Sequence, residues 1–250
     1  GGIQTKRDAL FVDFSRSVLS DRISRLLTNE FSKDEIVFFN IKDSSSYLLT
    51  EKIKKSKFDE SLIVDYGYRA FDDRVIYYDK NLIGRAFYSI MQHMLMPKNY
   101  ALLCVKNSRL GNITNYFITN KIVDKDRVSP LDNCQMFPLY IYPTAQDLLS
   151  TGERQPNLNL DIIKTIAKKL KLTFTPEKET TTGTFAPIDV LDYIYAVLHS
   201  PNYRNTYKEF LKTDFPRVPY PKNADSFWPL VNIGGQIRQL HLLQSDSLKQ

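Results

Sequence analysis

The sequence is poor in the residue types that most catalytic and metal sites require. It contains two cysteines and three histidines in 250 residues. Cys104 and Cys134 do not form a paired metal-binding spacing, so two buried thiols are expected. The histidines, at 93, 199 and 241, are widely scattered, and none stands at a spacing typical of metal ligands. The sequence therefore predicts no metal site.

Known catalytic motifs are also missing. There is no Gly-x-x-x-x-Gly-Lys-Ser/Thr loop for a nucleotide phosphate and no Gly-x-Ser-x-Gly turn for a nucleophilic serine. The phrase Ser200-Pro201-Asn202-Tyr203 imitates the Pro-Pro-aromatic phrase of an adenine methyltransferase but lacks its second proline. The closest carboxylate groupings, 72–73 and 177–179, are typical of a turn and a solvated loop. We therefore expect a chain that is not itself an enzyme and binds no cofactor.

Long apolar runs are absent as well. No run approaches the roughly 18 apolar residues that would span a bilayer, and the first residues lack the layout of a signal peptide. A cytoplasmic protein without a membrane partner is therefore expected. The content of 42% hydrophobic and 25% charged residues is that of an ordinary globular protein. The net charge of +6 permits an anionic partner without requiring one.

The first part of the chain reads as alternating short strands and helices. Residues 9–14 resemble a strand, and Ser15 is a suitable cap for a helix that extends to Thr28. Residues 36–41 are rich in β-formers and predict a second strand, before a helix over 47–58.

The middle of the chain predicts a sheet. Runs over 62–68 and 74–78 flank a polar bend and predict paired strands, with an amphipathic helix over 86–95. Three further apolar runs of strand length follow, separated by turn residues, at 100–105, 115–119 and 136–142.

The end of the chain has helical periodicity. Helices are predicted over 160–172 and from Pro187, which suits a first helical position, to 198. Pro201 interrupts that helix, a second apolar stripe follows it, and Ser226 is a candidate cap for a last helix. The fold class is thus α+β: a mixed β-sheet body with flanking helices and a helical C-terminal part.

Three phrases have a family character. They are DYGYRAFDDRVIYYDKNLIGR at 65–85, NYFITNKIVD followed by FPLYIY within 115–142, and DYIYAVLHSPNYRNTYKEFLKTDFPRVPYP within 185–221. Together they resemble the C-terminal target-recognition region of type ISP restriction-modification enzymes and related adenine-specific DNA methyltransferases. In the first phrase Ala70 stands where the family usually has proline, whereas Phe71, Asp72 and Arg74 keep their places.

The resemblance implies a noncatalytic, sequence-specific recognition region whose partners are double-stranded DNA and an upstream methyltransferase domain of the same parent chain. That upstream domain would use S-adenosylmethionine to methylate adenine at N6, and a nuclease often accompanies it. The predicted division is a recognition body at 1–150, with 1–30 connecting to the catalytic domain, and a helical part packing on it at 151–250. The alternative is an interaction module that packs against the methyltransferase domain while DNA is read elsewhere.

Reading of duplex DNA requires basic and amide side chains on loops or strands, because these groups contact base edges and phosphates. Taken alone, each candidate is more often a surface or scaffold residue than a DNA contact, and Arg74 is well placed for a structural salt bridge with Asp72. The candidate DNA-binding residues are Arg69, Arg74, Arg85, Lys106, Arg109, Asn112, Asn115, Asn120, Lys121 and Arg127.

Overall fold

A computed structural model describes residues 1–109, 111, 113–143 and 152–248. The chain divides into two compact units, and neither unit is continuous in sequence. Unit 1 comprises Gly1–Leu95 and Lys121–Arg127, and unit 2 comprises Met96–Asn120 and Val128–Gln250. This partition differs from the predicted division at residue 150, because the strands that follow residue 100 share a hydrophobic core with the C-terminal helices.

Helices and strands occur in separate runs along the chain, and the predicted α+β class is confirmed. The helices are α1 (Asp8–Phe11), α2 (Arg16–Leu27), α3 (Lys33–Phe38), α4 (Leu49–Lys55), α5 (Tyr88–Met91), α6 (Leu160–Leu170), α7 (Pro187–His199), α8 (Pro201–Thr206), α9 (Lys208–Leu211) and α10 (Ala224–His241). The strands are β1 (Val12–Asp13), β2 (Ile63–Arg69), β3 (Asp72–Tyr77), β4 (Ala101–Cys104), β5 (Tyr116–Thr119), β6 (Ile122–Val123), β7 (Gln135–Pro138), β8 (Tyr140–Ile141), β9 (Gln155–Pro156), β10 (Thr173–Phe174) and β11 (Thr184–Phe185).

Unit 1 is built on a four-stranded sheet of order β1-β3-β2-β6. The predicted pairing of β2 with β3 is confirmed: the two strands run antiparallel, with Ile63 opposite Tyr77 and Arg69 opposite Asp72. Helix α2 covers the sheet and buries Leu19 and Ile23 in the core of the unit. The hairpin of β2 and β3 is therefore anchored at its base and turns at residues 70–71.

The predicted strand over 36–41 is wrong, because residues 36–38 belong to helix α3 and a turn follows at 39–40. The hydroxyl of Ser32 accepts the backbone N–H of Glu35 at 3.2 Å, and the Glu35 carboxylate accepts that of Ser32 at 2.9 Å. This reciprocal capping satisfies two backbone donors that a helix start otherwise leaves unpaired. The local cap outweighs the β-propensity of the apolar residues that follow it.

Three other predicted elements of unit 1 differ in type or bounds. The backbone carbonyl of Arg7 accepts the N–H groups of Leu10 and Phe11, which closes a helical turn where a strand was expected. The left-handed φ of +48° at Phe87 separates the next helix from the residues before it. The strand predicted over 9–14 is α1 followed by β1, and the helices predicted over 47–58 and 86–95 are the shorter α4 and α5.

Unit 2 is built on the antiparallel sheet β5-β4-β7, where strands were predicted. Leu102 of β4 lies opposite Ile118 of β5 and Phe137 of β7. The core of the unit joins the sheet to α6, α7 and α10 and includes both Ile118 and Leu191. The sheet and the C-terminal helices therefore form a single packed body.

Helices α7 and α10 approach each other closely at Gly234. A Cβ atom at this position would lie 1.8 Å from the carbonyl oxygen of Asp192, so only glycine fits. Beside this contact, the Arg238 guanidinium donates two hydrogen bonds, of 2.7 and 3.0 Å, to the Asp192 carboxylate. Both side chains are largely buried. The backbone of α7 thus explains why a glycine occupies position 234.

The C-terminal helix boundaries largely follow the sequence. Helix α7 begins at Pro187 as predicted, and Ser200 ends it and caps α8 by accepting the Tyr203 N–H at 3.4 Å. The last helix begins earlier than expected. Asn223, and not Ser226, is its cap, because the Asn223 side-chain oxygen accepts the Ser226 N–H at 2.9 Å.

His199 makes the stability of the chain dependent on pH. Its Nδ1–H donates to the Tyr195 carbonyl at 2.9 Å, and burial, aided by the charge of Arg204, lowers the pKa of His199 to about 4. Because the unfolded residue has a pKa of about 6.5, the unfolded chain binds a proton that the folded chain excludes between these values. We expect the free energy of unfolding to fall as the pH is lowered from 7 to 5, and His199→Asn to reduce this fall. Urea unfolding at both pH values measures it, and an unchanged pH dependence in the variant would contradict this assignment.

Candidate nucleic-acid interface

Four of the predicted DNA-binding residues lie together at the β2–β3 hairpin of unit 1. We call them the hairpin cluster; they are Arg69, Arg74, Lys121 and Arg127. The hairpin turns at Phe71, whose φ of +58° is an unusual, strained value for a bulky residue. Such a conformation persists only when the surrounding structure holds it in place.

Arg127 braces this turn from within the fold. Only 5% of its side chain is exposed, and its Nη1 lies 2.8 Å from the Asp73 carboxylate. The same nitrogen donates to the backbone carbonyl of Asp72 at 3.0 Å and to that of Arg69. Lys121 pairs with Asp73 as well, at 2.6 Å. Both cations therefore bind acidic or carbonyl groups of the hairpin.

Arg74 and Arg69 are also paired with carboxylates. Arg74 donates two hydrogen bonds, of 2.9 and 2.8 Å, to Asp72, and these hydrogen bonds lower the pKa of the Asp72 carboxyl. The salt bridge considered for this pair is confirmed. Arg69 lies 2.8 Å from Asp124, and its guanidinium stacks on one face of Tyr68. Every cation of the hairpin cluster thus has an acidic partner within unit 1.

Two other predicted residues lie within residues 105–109 of unit 2, which directly follow β4 and which we call the β4–β5 loop. The side chains of Lys106 and Arg109 are exposed, that of Arg109 to 69%. Asp132 positions this loop from below: it is buried, accepts the backbone N–H of Arg109 at 3.2 Å and accepts the hydroxyl of Ser129 at 3.1 Å. The guanidinium of Arg109 remains 3.6 Å from this carboxylate. The loop is therefore held by its backbone while its basic side chains point to solvent.

The remaining predicted residues are dispersed. Arg85 is exposed and pairs through its backbone with Gln4 in unit 1. Asn115 and Asn120 flank β5 on its two sides, about 17 Å apart at the usual rise of a strand. These two amides therefore cannot contact the same base pair. Asn112 lies outside the described residues.

Sequence reasoning missed a basic and aromatic segment that lies against the β4–β5 loop. The backbone N–H of Ser108 donates to the Lys212 carbonyl at 3.0 Å, and the Lys106 ammonium lies 5.7 Å from the ring centre of Phe215. The phrase KEFLKTDFPR at 208–217 interleaves basic and aromatic residues. That interleaving was a usable signal, but periodicity had assigned part of it to an apolar helix face.

Other kinds of site find little support in the described parts of the chain. Within residues 1–109, 111, 113–143 and 152–248, no three His, Cys, Asp or Glu side chains are grouped so that they could hold a metal ion. Over the same residues, no helix is both long enough and apolar enough to cross a bilayer. Cys104 and Cys134 are buried thiols, as expected, and burial raises the pKa of Cys104 to about 12.

The fold is similar to that of parts of much larger solved structures. The chain matches the cryo-EM structure of the DrdV–DNA complex with a TM-score of 0.70 and 22% identity, covering 96% of this chain and 23% of that one. It matches the ATP-dependent Type ISP restriction-modification enzyme LlaBIII bound to DNA with a TM-score of 0.67 and 18% identity, covering 97% of this chain and 15% of that one. For a nuclease-deletion mutant of the Type ISP restriction-modification enzyme LlaGI in complex with a DNA substrate mimic, the TM-score is 0.61 and the identity is 21%. This match covers 96% of this chain and 21% of that one.

At these identities the likeness establishes the fold alone, and the chain spans less than a quarter of each of the three. No curated protein matches the sequence. The family described as the Type ISP C-terminal specificity domain, by contrast, matches residues 1–250. The match covers all three phrases that carried the resemblance as well as both compact units. This chain therefore belongs to the Type ISP C-terminal specificity domain family.

Proposed function

We propose that this chain recognises the DNA target of a longer restriction-modification enzyme and directs an adenine-N6 methyltransferase of that enzyme to its site. The observation that carries the proposal is the match of residues 1–250 to a specificity-domain family. Similar folds in enzymes solved with DNA support it. S-adenosylmethionine would bind to the methyltransferase part of the parent, which would take the target adenine out of the duplex for methylation.

The β4–β5 loop is the predicted region that best suits contact with DNA. Lys106 is an exposed ammonium suited to a phosphate, whereas the planar guanidinium of Arg109 suits the acceptor pair of a guanine edge. The hairpin cluster is less suitable, because each of its cations is paired with a carboxylate and none has a side chain more than 35% exposed, compared with 69% for Arg109. A cation already paired must give up that partner before it binds a phosphate.

A salt series with duplex DNA tests the proposal. The chain is mixed with duplexes of random sequence, and affinity is measured by fluorescence anisotropy at increasing salt. Affinity should fall by about 0.9 log units per log unit of salt for each phosphate contact. Lys106→Ala should reduce this slope by about one contact.

The matched control is Lys164→Ala, which removes the same charge from an exposed position of α6. This variant should bind like the original chain. Binding that does not depend on salt would contradict the proposal. If both variants reduced the salt slope equally, Lys106 would contribute only through the net charge of the chain and not through a phosphate contact of its own.

A second candidate is an interaction module that packs against the methyltransferase domain. The observation that favours it is the apolar surface of α3, on which Ile36 is 41%, Val37 78% and Phe38 74% exposed. Consecutive exposed apolar residues of this size are typical of a protein contact. The same salt series separates the two candidates, because an interaction module without a DNA role would show no salt-dependent binding.

A further inference from the structure

The segment 208–217 and the β4–β5 loop form one continuous surface of unit 2. The hydrogen bond from Ser108 to the Lys212 carbonyl joins their backbones, and Lys106 lies over the ring of Phe215. Phe215 in turn packs edge-on against Phe137 of β7, with 5.6 Å between ring centres. The hydrogen bond and the contact of Lys106 with Phe215 therefore join the two segments, and aromatic packing attaches segment 208–217 to β7.

Most of the charged side chains on this surface are basic. Lys208 is exposed, and 82% of the Arg217 side chain is exposed while its guanidinium lies 5.1 Å from the ring centre of Phe210. Lys212 is less exposed and reaches Glu209 at 2.7 Å. The cations of the surface are Lys106, Arg109, Lys208, Lys212 and Arg217.

The carboxylates nearby do not cancel these charges. Asp132 is buried beneath the loop, where it accepts hydrogen bonds from a backbone N–H and a hydroxyl group and lies 3.6 Å from the exposed Arg109 side chain. Glu209 pairs with Lys212 one helical turn away, and Asp214 lies 4.0 Å from Arg217 at the edge of pairing distance. Exposed pairs of this kind contribute little free energy, so a phosphate can replace the carboxylate at small cost. This distinguishes the surface from the hairpin cluster.

We infer that Lys208 and Arg217 contact the phosphate backbone of duplex DNA beside the β4–β5 loop. The inference rests on the proposed function and adds residues to it that the family resemblance did not assign. Phosphate contacts fix the position of a protein on the duplex but carry no sequence information. The segment 208–217 therefore contributes affinity, and base discrimination comes from other side chains, Arg109 among them.

The test uses the full chain, a duplex selected for tight binding and a scrambled duplex of equal length. Lys208→Ala/Arg217→Ala should reduce the salt slope by about 1.8 log units per log unit of salt, the value for two phosphate contacts. The ratio of affinities for the two duplexes should stay unchanged. Arg109→Ala, in contrast, should lower that ratio.

The control is Lys164→Ala/Lys168→Ala, which removes two charges from exposed positions of α6 and should leave the slope as it was. Because Lys208 and Arg217 are exposed, their removal should leave the melting temperature unchanged, which confirms folding. If the original chain shows salt-dependent binding and the 208/217 variant keeps the full slope, the inference is overturned and the proposed function stands. A loss of discrimination in that variant would also overturn it. If the original chain does not bind DNA at all, the proposed function fails first.

Discussion

Gly234→Ala is expected to lower the free energy of unfolding by about 3 kcal/mol, the upper part of the range for overpacked cores. The new Cβ atom would lie 1.8 Å from the carbonyl oxygen of Asp192, which belongs to the backbone of α7 and cannot rotate away. Helices α7 and α10 must then separate, which also weakens the buried contact between Asp192 and Arg238. Urea unfolding followed by circular dichroism measures the effect.

Gly235→Ala is the matched control, because it adds the same methyl group one residue further along α10. Its Cβ atom would lie 3.2 Å from a carboxylate oxygen of Asp192, a contact that a shift of a few tenths of an ångström relieves without moving the backbone of α7. The higher helix propensity of alanine, worth up to about 1 kcal/mol, offsets this crowding. If the two variants were equally stable, close approach of the helix backbones would not be the reason for glycine at 234.

Arg127→Ala is expected to destabilise the chain by about 2 kcal/mol, within the range for hydrogen bonds to a charged group, because its ion pair with the exposed Asp73 contributes little. The side chain is 5% exposed and holds Asp73 together with the backbone carbonyls at both sides of the hairpin turn. The loss is not larger because Asp73 keeps its contact with Lys121. Urea unfolding gives the difference, and loss of DNA affinity should follow only from unfolding.

Lys121→Ala serves as the control for this pair. It removes the more exposed of the two cations that contact Asp73, so a loss of less than about 1 kcal/mol is expected. A stable Arg127→Ala variant with reduced DNA affinity would contradict the structural role assigned to Arg127. Arg127 would then be a DNA contact, as the sequence suggested.

Sequence patterns predicted those elements whose local signals agree with one another. Helix α7 combines a proline at its first position with apolar residues at helical spacing, and the β2–β3 hairpin combines β-formers with a polar bend. Segment 36–41 failed because its signals conflict. Its composition favours a strand, whereas the cap formed by Ser32 and Glu35 starts a helix, and the cap is recognised only if the residues before the segment are considered.

The candidate interface could be predicted only as a set of residue types. Sequence reasoning identified basic residues and one local pair, Arg74 with Asp72, but it could not show the partners of the other cations, because these partners are distant in the chain. Lys121 meets Asp73 across 48 residues, and Arg127 reaches the carbonyl of Arg69 across 58. The same limitation hid the segment 208–217, whose relation to the β4–β5 loop depends on a hydrogen bond between residues far apart in sequence.

The interleaved course of the chain bears on how specificities can be exchanged between relatives. Strand β6 of the unit 1 sheet is supplied by a short excursion between β5 and β7, which belong to unit 2. A single recombination breakpoint near residue 96 would therefore transfer that strand together with the second unit and leave the edge of β2 beside a foreign sequence. Chimaeras that keep residues 121–127 with the first unit should therefore be more stable than chimaeras divided once near residue 96.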